Sequence, residues 1–72
     1  MKTTVRFSMW TTGRILLKLV DESPLIPRSG DEVVIEDELY CVLRVRLNYR
    51  IEVNHGEVTA NHCDVDVKLG SP

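Results

Sequence analysis

The sequence predicts an all-β fold: a small, partly open antiparallel barrel of five strands, one of them long and bent. Three observations lead there. Apolar residues alternate with polar ones in several short runs, and turn residues separate those runs every eight to twelve positions or so. The third is one alternating run, Leu39 to Val53, that is too long for an ordinary strand. Its odd positions (Leu39, Cys41, Leu43, Val45, Leu47, Tyr49, Ile51, Val53) are apolar, and most even positions are polar. Period-two alternation marks a strand with one buried face. Strands usually run about 5–6 residues and rarely exceed about 10, so this run must bend around a core or supply two strands. A strand that curls through both halves of a small sheet suits a barrel.

The elements follow in order. Thr3 to Met9 alternates, with Val5, Phe7 and Met9 on the inward parity, and Thr11-Thr12-Gly13 forms a turn. Ile15, Leu17 and Leu19 resume the alternation. Residues 14–20 also fit a short helix through Ile15, Leu16, Leu19 and Val20, but a short run after a hairpin turn favours a strand. Asp21 to Gly30 is a connection, because Pro24 and Pro27 cannot donate to a ladder; Leu25 and Ile26 within it are expected to fold over an open end of the core. Val33 and Ile35 form a short strand, and Glu36-Asp37-Glu38 is a tight acidic turn into the long run. Asn54-His55-Gly56 is the next turn, Val58 to Asn61 is weakly patterned, and Cys63, Val65, Val67 and Leu69 define the last strand.

Seventy-two residues make one domain, 1–72, near the lower limit for a self-sufficient core. Small domains compensate with a disulfide, a metal or self-association. Cys41 and Cys63 both carry inward parity and read as small core hydrophobes. The 43% apolar content is that of a globular chain. Nine basic against eleven acidic residues give a net charge of −2, so there is no overall basic excess for nucleic acid, although a local patch is compatible with it. No run approaches the ~20 apolar residues of a membrane span, and Arg6 and Ser8 interrupt the start where a signal peptide would be apolar. A cytoplasmic protein is expected.

A resemblance rests on Pro27-Arg28-Ser29-Gly30-Asp31-Glu32-Val33-Val34-Ile35 followed by Leu39-Tyr40-Cys41-Val42-Leu43-Arg44-Val45. A Gly-Asp-x-Val strand, an acidic turn and a Tyr-x-Val-x-x-Val strand resemble the central hairpin of SH3-like barrels of the Src-homology and KOW type. The pattern is also similar to that of short uncharacterised bacterial proteins carried by phages and mobile gene cassettes. It covers about a third of the chain and implies a five-stranded SH3-like barrel. KOW-type relatives bind RNA or ribosomal partners through a glycine-centred loop and a basic surface. Here the equivalent turn is Glu36-Asp37-Glu38, which repels phosphate.

Two surfaces are candidates for function. Leu16, Val20, Val34, Tyr40 and Val42 are apolar on the parity opposite the core, and Trp10 sits beside the first turn. Left exposed, they would form a patch for a second copy or another protein. The other surface is the polar face of the long strand, where Arg44, Arg46 and Arg50, with Tyr40 earlier on that side, are spaced for phosphates and a stacked base. The bland alternative pairs those arginines with Glu52, Asp64 or Asp66 on neighbouring strands. His55, His62, Cys63 and Asp64 lack zinc-site spacing, and neighbouring strand residues face opposite ways, so neither a metal site nor a Cys–His nucleophile is expected. No cofactor motif or catalytic constellation is present. The expectation is a non-enzymatic module that self-associates, with weak nucleic-acid binding as the alternative and a small-ligand site between subunits as a third reading.

Overall fold

Residues 2–51, 56 and 58–71 are described by a computed structural model. The five strands are β1 (Thr3–Met9), β2 (Ile15–Asp21), β3 (Glu32–Ile35), β4 (Glu38–Ile51) and β5 (Val58–Leu69), and the described residues contain no helix. They form one sheet in the order β2-β1-β5-β4-β3. The sheet curls until Leu16 on one edge strand and Ile35 on the other line the same cavity, yet no ladder joins β2 to β3. The result is a half-barrel. The all-β, five-stranded, partly open expectation holds, and residues 14–20 contribute a strand, not a helix.

The expected antiparallel order needs correction, because β1 runs parallel to β5 from Thr3↔Asn61 to Met9↔Val67. Parallel neighbours cannot be joined by a tight turn and need a long crossover. Here β2, β3 and β4 together make that crossover. The other three ladders, β1–β2, β3–β4 and β4–β5, are antiparallel. The last strand also begins at Val58, earlier than its weak patterning suggests.

The ladders among the described residues carry three register shifts; one lies at the end of the β4–β5 ribbon, between Arg50↔Ala60 and Ile51↔Val58, and the other two reset the phase of the alternation in β4 and β2. In β4, Val42 faces Val67 while Arg44 faces Asp66, so Leu43 is an extra residue. One inserted residue inverts which side chains face the core. Before the bulge the inward residues are Tyr40 and Val42; after it they are Val45, Leu47 and Tyr49. In β2, Phe7 faces Leu17 while Ser8 faces Ile15, and the extra residue Leu16 turns inward. Ile15, expected inside, is exposed.

The core is Val5, Phe7, Tyr40, Val42, Cys63, Val65 and Val67, with Met9, Leu16, Leu17, Val33, Ile35 and Val45 packed against it. Tyr40 and Val42, expected on an outer patch, are 8% and 1% exposed. Cys41 lies on the opposite face from Val42 and is nevertheless buried. Its neighbours are tied to the 22–31 connection: Gly30 N–H donates to the Val42 carbonyl, Val42 N–H to the Asp31 carbonyl, and Ser29 Oγ to the Leu43 carbonyl. That connection covers less than expected, since Leu25 is 92% exposed.

The β3–β4 hairpin turns on two residues, Glu36 and Asp37, with φ of 48° and 66°. Positive φ at both positions is the type I′ pattern, which matches the twist of paired strands and usually selects Asn or Gly. The acidic turn therefore lies where the sequence places it, with Glu38 already in β4. The expected turn at Asn54-His55-Gly56 and the inward Val53 involve residues outside the described set.

Val42→Asp is expected to unfold the domain. A carboxylate forced into this position costs several kcal/mol, against a core that supplies about 3–5 kcal/mol at this chain size. Circular dichroism should lose its β-signature, and a folded Val42→Asp protein would contradict the placement of Val42.

Candidate interaction surfaces

Residues directly opposite in a ladder share a face, so the register sorts every side chain. The outer face carries Thr4, Arg6 and Ser8 of β1, His62, Asp64, Asp66 and Lys68 of β5, and Arg44, Arg46, Asn48 and Arg50 of β4. Arg6 meets Asp64 at 3.0 Å and Arg44 meets Asp66 at 2.9 Å, with the Arg44 Nε donating to the same carboxylate oxygen at 3.1 Å. Asn48 Nδ2 also donates to Asp64, and His62 Nε2 lies 3.6 Å from it. These pairs are partly exposed, so each contributes about 1 kcal/mol or less. They order the face more than they stabilise it.

Cations accumulate here. Arg6, Lys18, Arg44, Arg46, Arg50 and Lys68 lie on the outer face by register, against Glu32, Asp64 and Asp66. Other described acidic residues sit instead at strand ends and in connections: Asp21 closing β2, Glu22 after it, Asp31 before β3, and Glu36 and Asp37 at the hairpin turn. A chain with negative net charge thus presents a basic convex face. Of the carboxylates expected to pair with the β4 arginines, Asp66 pairs with Arg44, Asp64 pairs instead with Arg6 of β1, and Glu52 lies outside the described residues. Tyr40, expected beside the arginines, belongs to the core and cannot stack a base.

The inner face tells a different story at its far end. β1 ends opposite Asn61, and β3 ends opposite Cys41. The β4–β5 ribbon continues past both in a molecule measuring 44 × 20 × 19 Å. Leu47 and Tyr49 share the face of Cys63 and Val65, yet they are 51% and 59% exposed. Ile51 and Val58, paired at the end of the ribbon, are exposed as well. Ile26 from the 22–31 connection shares a small cavity with Leu47 and Tyr49 but leaves most of the strip open. Along the same stretch, no strand among the described residues pairs with the outer edge of β4 beyond Cys41.

Of the six residues proposed for a protein interface, Trp10, Val20 and Val34 are exposed, Leu16 is half-buried against the core, and Tyr40 and Val42 are inside it. The exposed three do not share a strand: Trp10 follows β1, Val20 is on β2 and Val34 on β3. The Leu47–Ile51 strip was hidden from parity reasoning because its residues do carry core parity. β5 pairs with β4 along the whole strip, but β3 stops at Cys41, and no described strand lies beside the other edge of β4 there.

Cys63 faces the core and is fully buried, while its neighbour His62 is on the outer face, so the two do not meet. Burial pushes the Cys63 thiol up, and the adjacent Asp64 carboxylate adds to the shift. Both cysteines are free thiols. His55 lies outside the described residues, and among those described no three His, Cys, Asp or Glu side chains gather as a metal site. No described helix is long and apolar enough to cross a membrane. No protein-family model matches the chain, and no match is found among curated proteins or solved structures.

The raised thiol carries a sign. The unfolded chain loses the Cys63 proton near the ordinary value of about 8.5, and the folded chain loses it only at higher pH. Its contribution to stability is therefore complete below that pH and is lost as pH rises through the folded value. Denaturant midpoints should fall over this alkaline range, and the fall should be shallower in Cys63→Ala; equal slopes would contradict the burial of the thiol.

Proposed function

We propose that this chain is a non-enzymatic interaction module that self-associates through the far end of the β4–β5 ribbon. The observation that carries the reading is the coincidence, from Leu47 to Ile51, of an exposed apolar strip with a β4 edge to which no strand among the described residues pairs. Either feature alone is tolerated on monomers. Together they offer what strand addition uses: main-chain hydrogen bonds along the edge and side-chain burial beside it.

A second copy is the occupant that best suits the strip. The strip continues the domain's own core surface, so another half-barrel set against it would extend both cores at once. Two β4 edges meeting antiparallel around a two-fold axis present identical residues to each other, the self-complementary arrangement of most homodimers. A core of seven buried residues among those described is small, and association is one of the few ways a domain of this size gains stability.

Light scattering in the micromolar range should report a dimer or larger species. Replacing both Leu47 and Tyr49 with Asp should give a monomer with an unchanged β-signature, because neither side chain is needed inside the subunit. A wild-type monomer, or an oligomer that survives the double substitution, would count against the proposal.

The basic convex face supports a second reading, a weak nucleic-acid-binding module that uses Arg44, Arg46 and Arg50 with Arg6 and Lys18. It lacks the stacking platform that Tyr40 would have provided, so contacts would be to phosphate and insensitive to sequence. Retention on a single-stranded oligonucleotide should fall steeply with salt and drop when Arg44 and Arg46 are changed to Glu. Absence of retention at low salt would exclude this reading.

A further inference from the structure

An open cavity of about 430 Å³ lies between the β1–β2 and β3–β4 turns, at the opposite end of β4 from the apolar strip. Its volume is within the usual range of about 300–1,000 Å³ for small-ligand sites. Glu36 and Glu38 line one side, Thr12 and Arg14 come from the other turn, and Met9, Leu16 and Ile35 add apolar wall. Tyr40 also lines it, although the residue is more than nine-tenths buried.

The Tyr40 hydroxyl is the informative atom. It makes no hydrogen bond to any described residue. Fully buried side-chain nitrogen and oxygen atoms among the described residues all have partners, so this oxygen reaches open space, and the open space that Tyr40 borders is the cavity. The carboxylates that line the same cavity are uncommitted too: among the described residues neither Glu36 nor Glu38 forms an ion pair, and Arg14 does not reach them. The cavity is thus lined by a mostly buried aromatic residue with an unpartnered oxygen, by two carboxylates without an ion pair among the described residues, and by an apolar wall.

We propose that this cavity binds a primary alkylammonium group, with its charged head at Glu36, Glu38 and the Tyr40 hydroxyl and its stem against Met9, Leu16 and Ile35. An ammonium carries three donors and no acceptor. Glu36, Glu38 and the Tyr40 hydroxyl supply three acceptor groups, two of them charged, and hydrogen bonds between charged partners are the stronger class. Arg14 on the opposite wall disfavours a second positive charge, which selects monocations over diamines. The same chemistry is supplied by a free alkylamine or by a lysine side chain of another protein.

Titrations followed by amide NMR use pentylammonium, Nα-acetyl-lysine methylamide and, as the uncharged control, pentanol. Pentylammonium should shift Thr12, Ile35 and Tyr40 saturably, and pentanol should not. Tighter binding of the lysine derivative assigns the site to a protein side chain, and tighter binding of pentylammonium assigns it to a free amine. Glu36→Gln with Glu38→Gln should weaken pentylammonium about tenfold or more. Tyr40→Phe should weaken it several-fold and leave the thermal midpoint unchanged, because the hydroxyl has no partner within the protein. Absence of saturable shifts, equal binding of pentanol, or undiminished affinity in the double Gln variant would overturn the proposal.

Discussion

The structure depends on the burial of β5 between two neighbours. Cys63, Val65 and Val67 are wholly inaccessible because β1 lies on one side and β4 on the other. Every other core residue is placed by its register with this strand: Val5 and Phe7 through the parallel ladder, Val42 and Val45 through the antiparallel one. Full burial of a Val or Phe side chain contributes about 1.5–3 kcal/mol relative to exposure. With so few such residues, no substitute set is available if β5 fails to pair on either side.

A central strand with two partners of unequal length also explains the division of the surface. Through β5, β1 lies level with β4 from Val42 to Tyr49, whereas β3 pairs with β4 only as far as Cys41, so ten of the fourteen residues of β4 have no described strand on their outer edge. Near the barrel its inner face is core; beyond it the same face is an apolar strip. On the outer side the strand's cations are interleaved with two β5 carboxylates, and the acidic residues that balance the chain's charge lie in turns. Three chemically distinct regions result: an acidic end with the cavity, a basic convex face and an apolar far end.

Period-two alternation was enough to locate all five strands, because each has at least one polar face. It was not enough to assign faces. Leu43 and Leu16 are bulge residues, and nothing about a leucine in an alternating run signals that it is the extra one. Parity counted across those points placed Tyr40 and Val42 outside and Ile15 inside, the reverse of what the ladders show. The parallel pairing of the first and last strands is likewise a long-range choice that no local pattern records. The Arg44–Asp66 pair was legible because cross-strand charge pairs follow from polarity, whereas the Arg6–Asp64 pair depends on the parallel ladder. The Glu36–Asp37 turn was legible as a turn, but its positive φ angles emerged only with the two-residue connection.

The parallel β1–β5 ladder has a consequence in time. A ribosome delivers β1 and β2 first, and they can pair as a hairpin, but a lone hairpin is marginally stable in water. Val5 and Phe7 must then wait with no strand to cover them until β5 has been synthesised some fifty residues later. Contacts between such distant segments close the longest loop in the chain, and folds that depend on them form slowly. The nascent chain therefore carries an uncovered β1 face until β5 has emerged. Its folding is governed by the arrival of the last strand, not by the early hairpin.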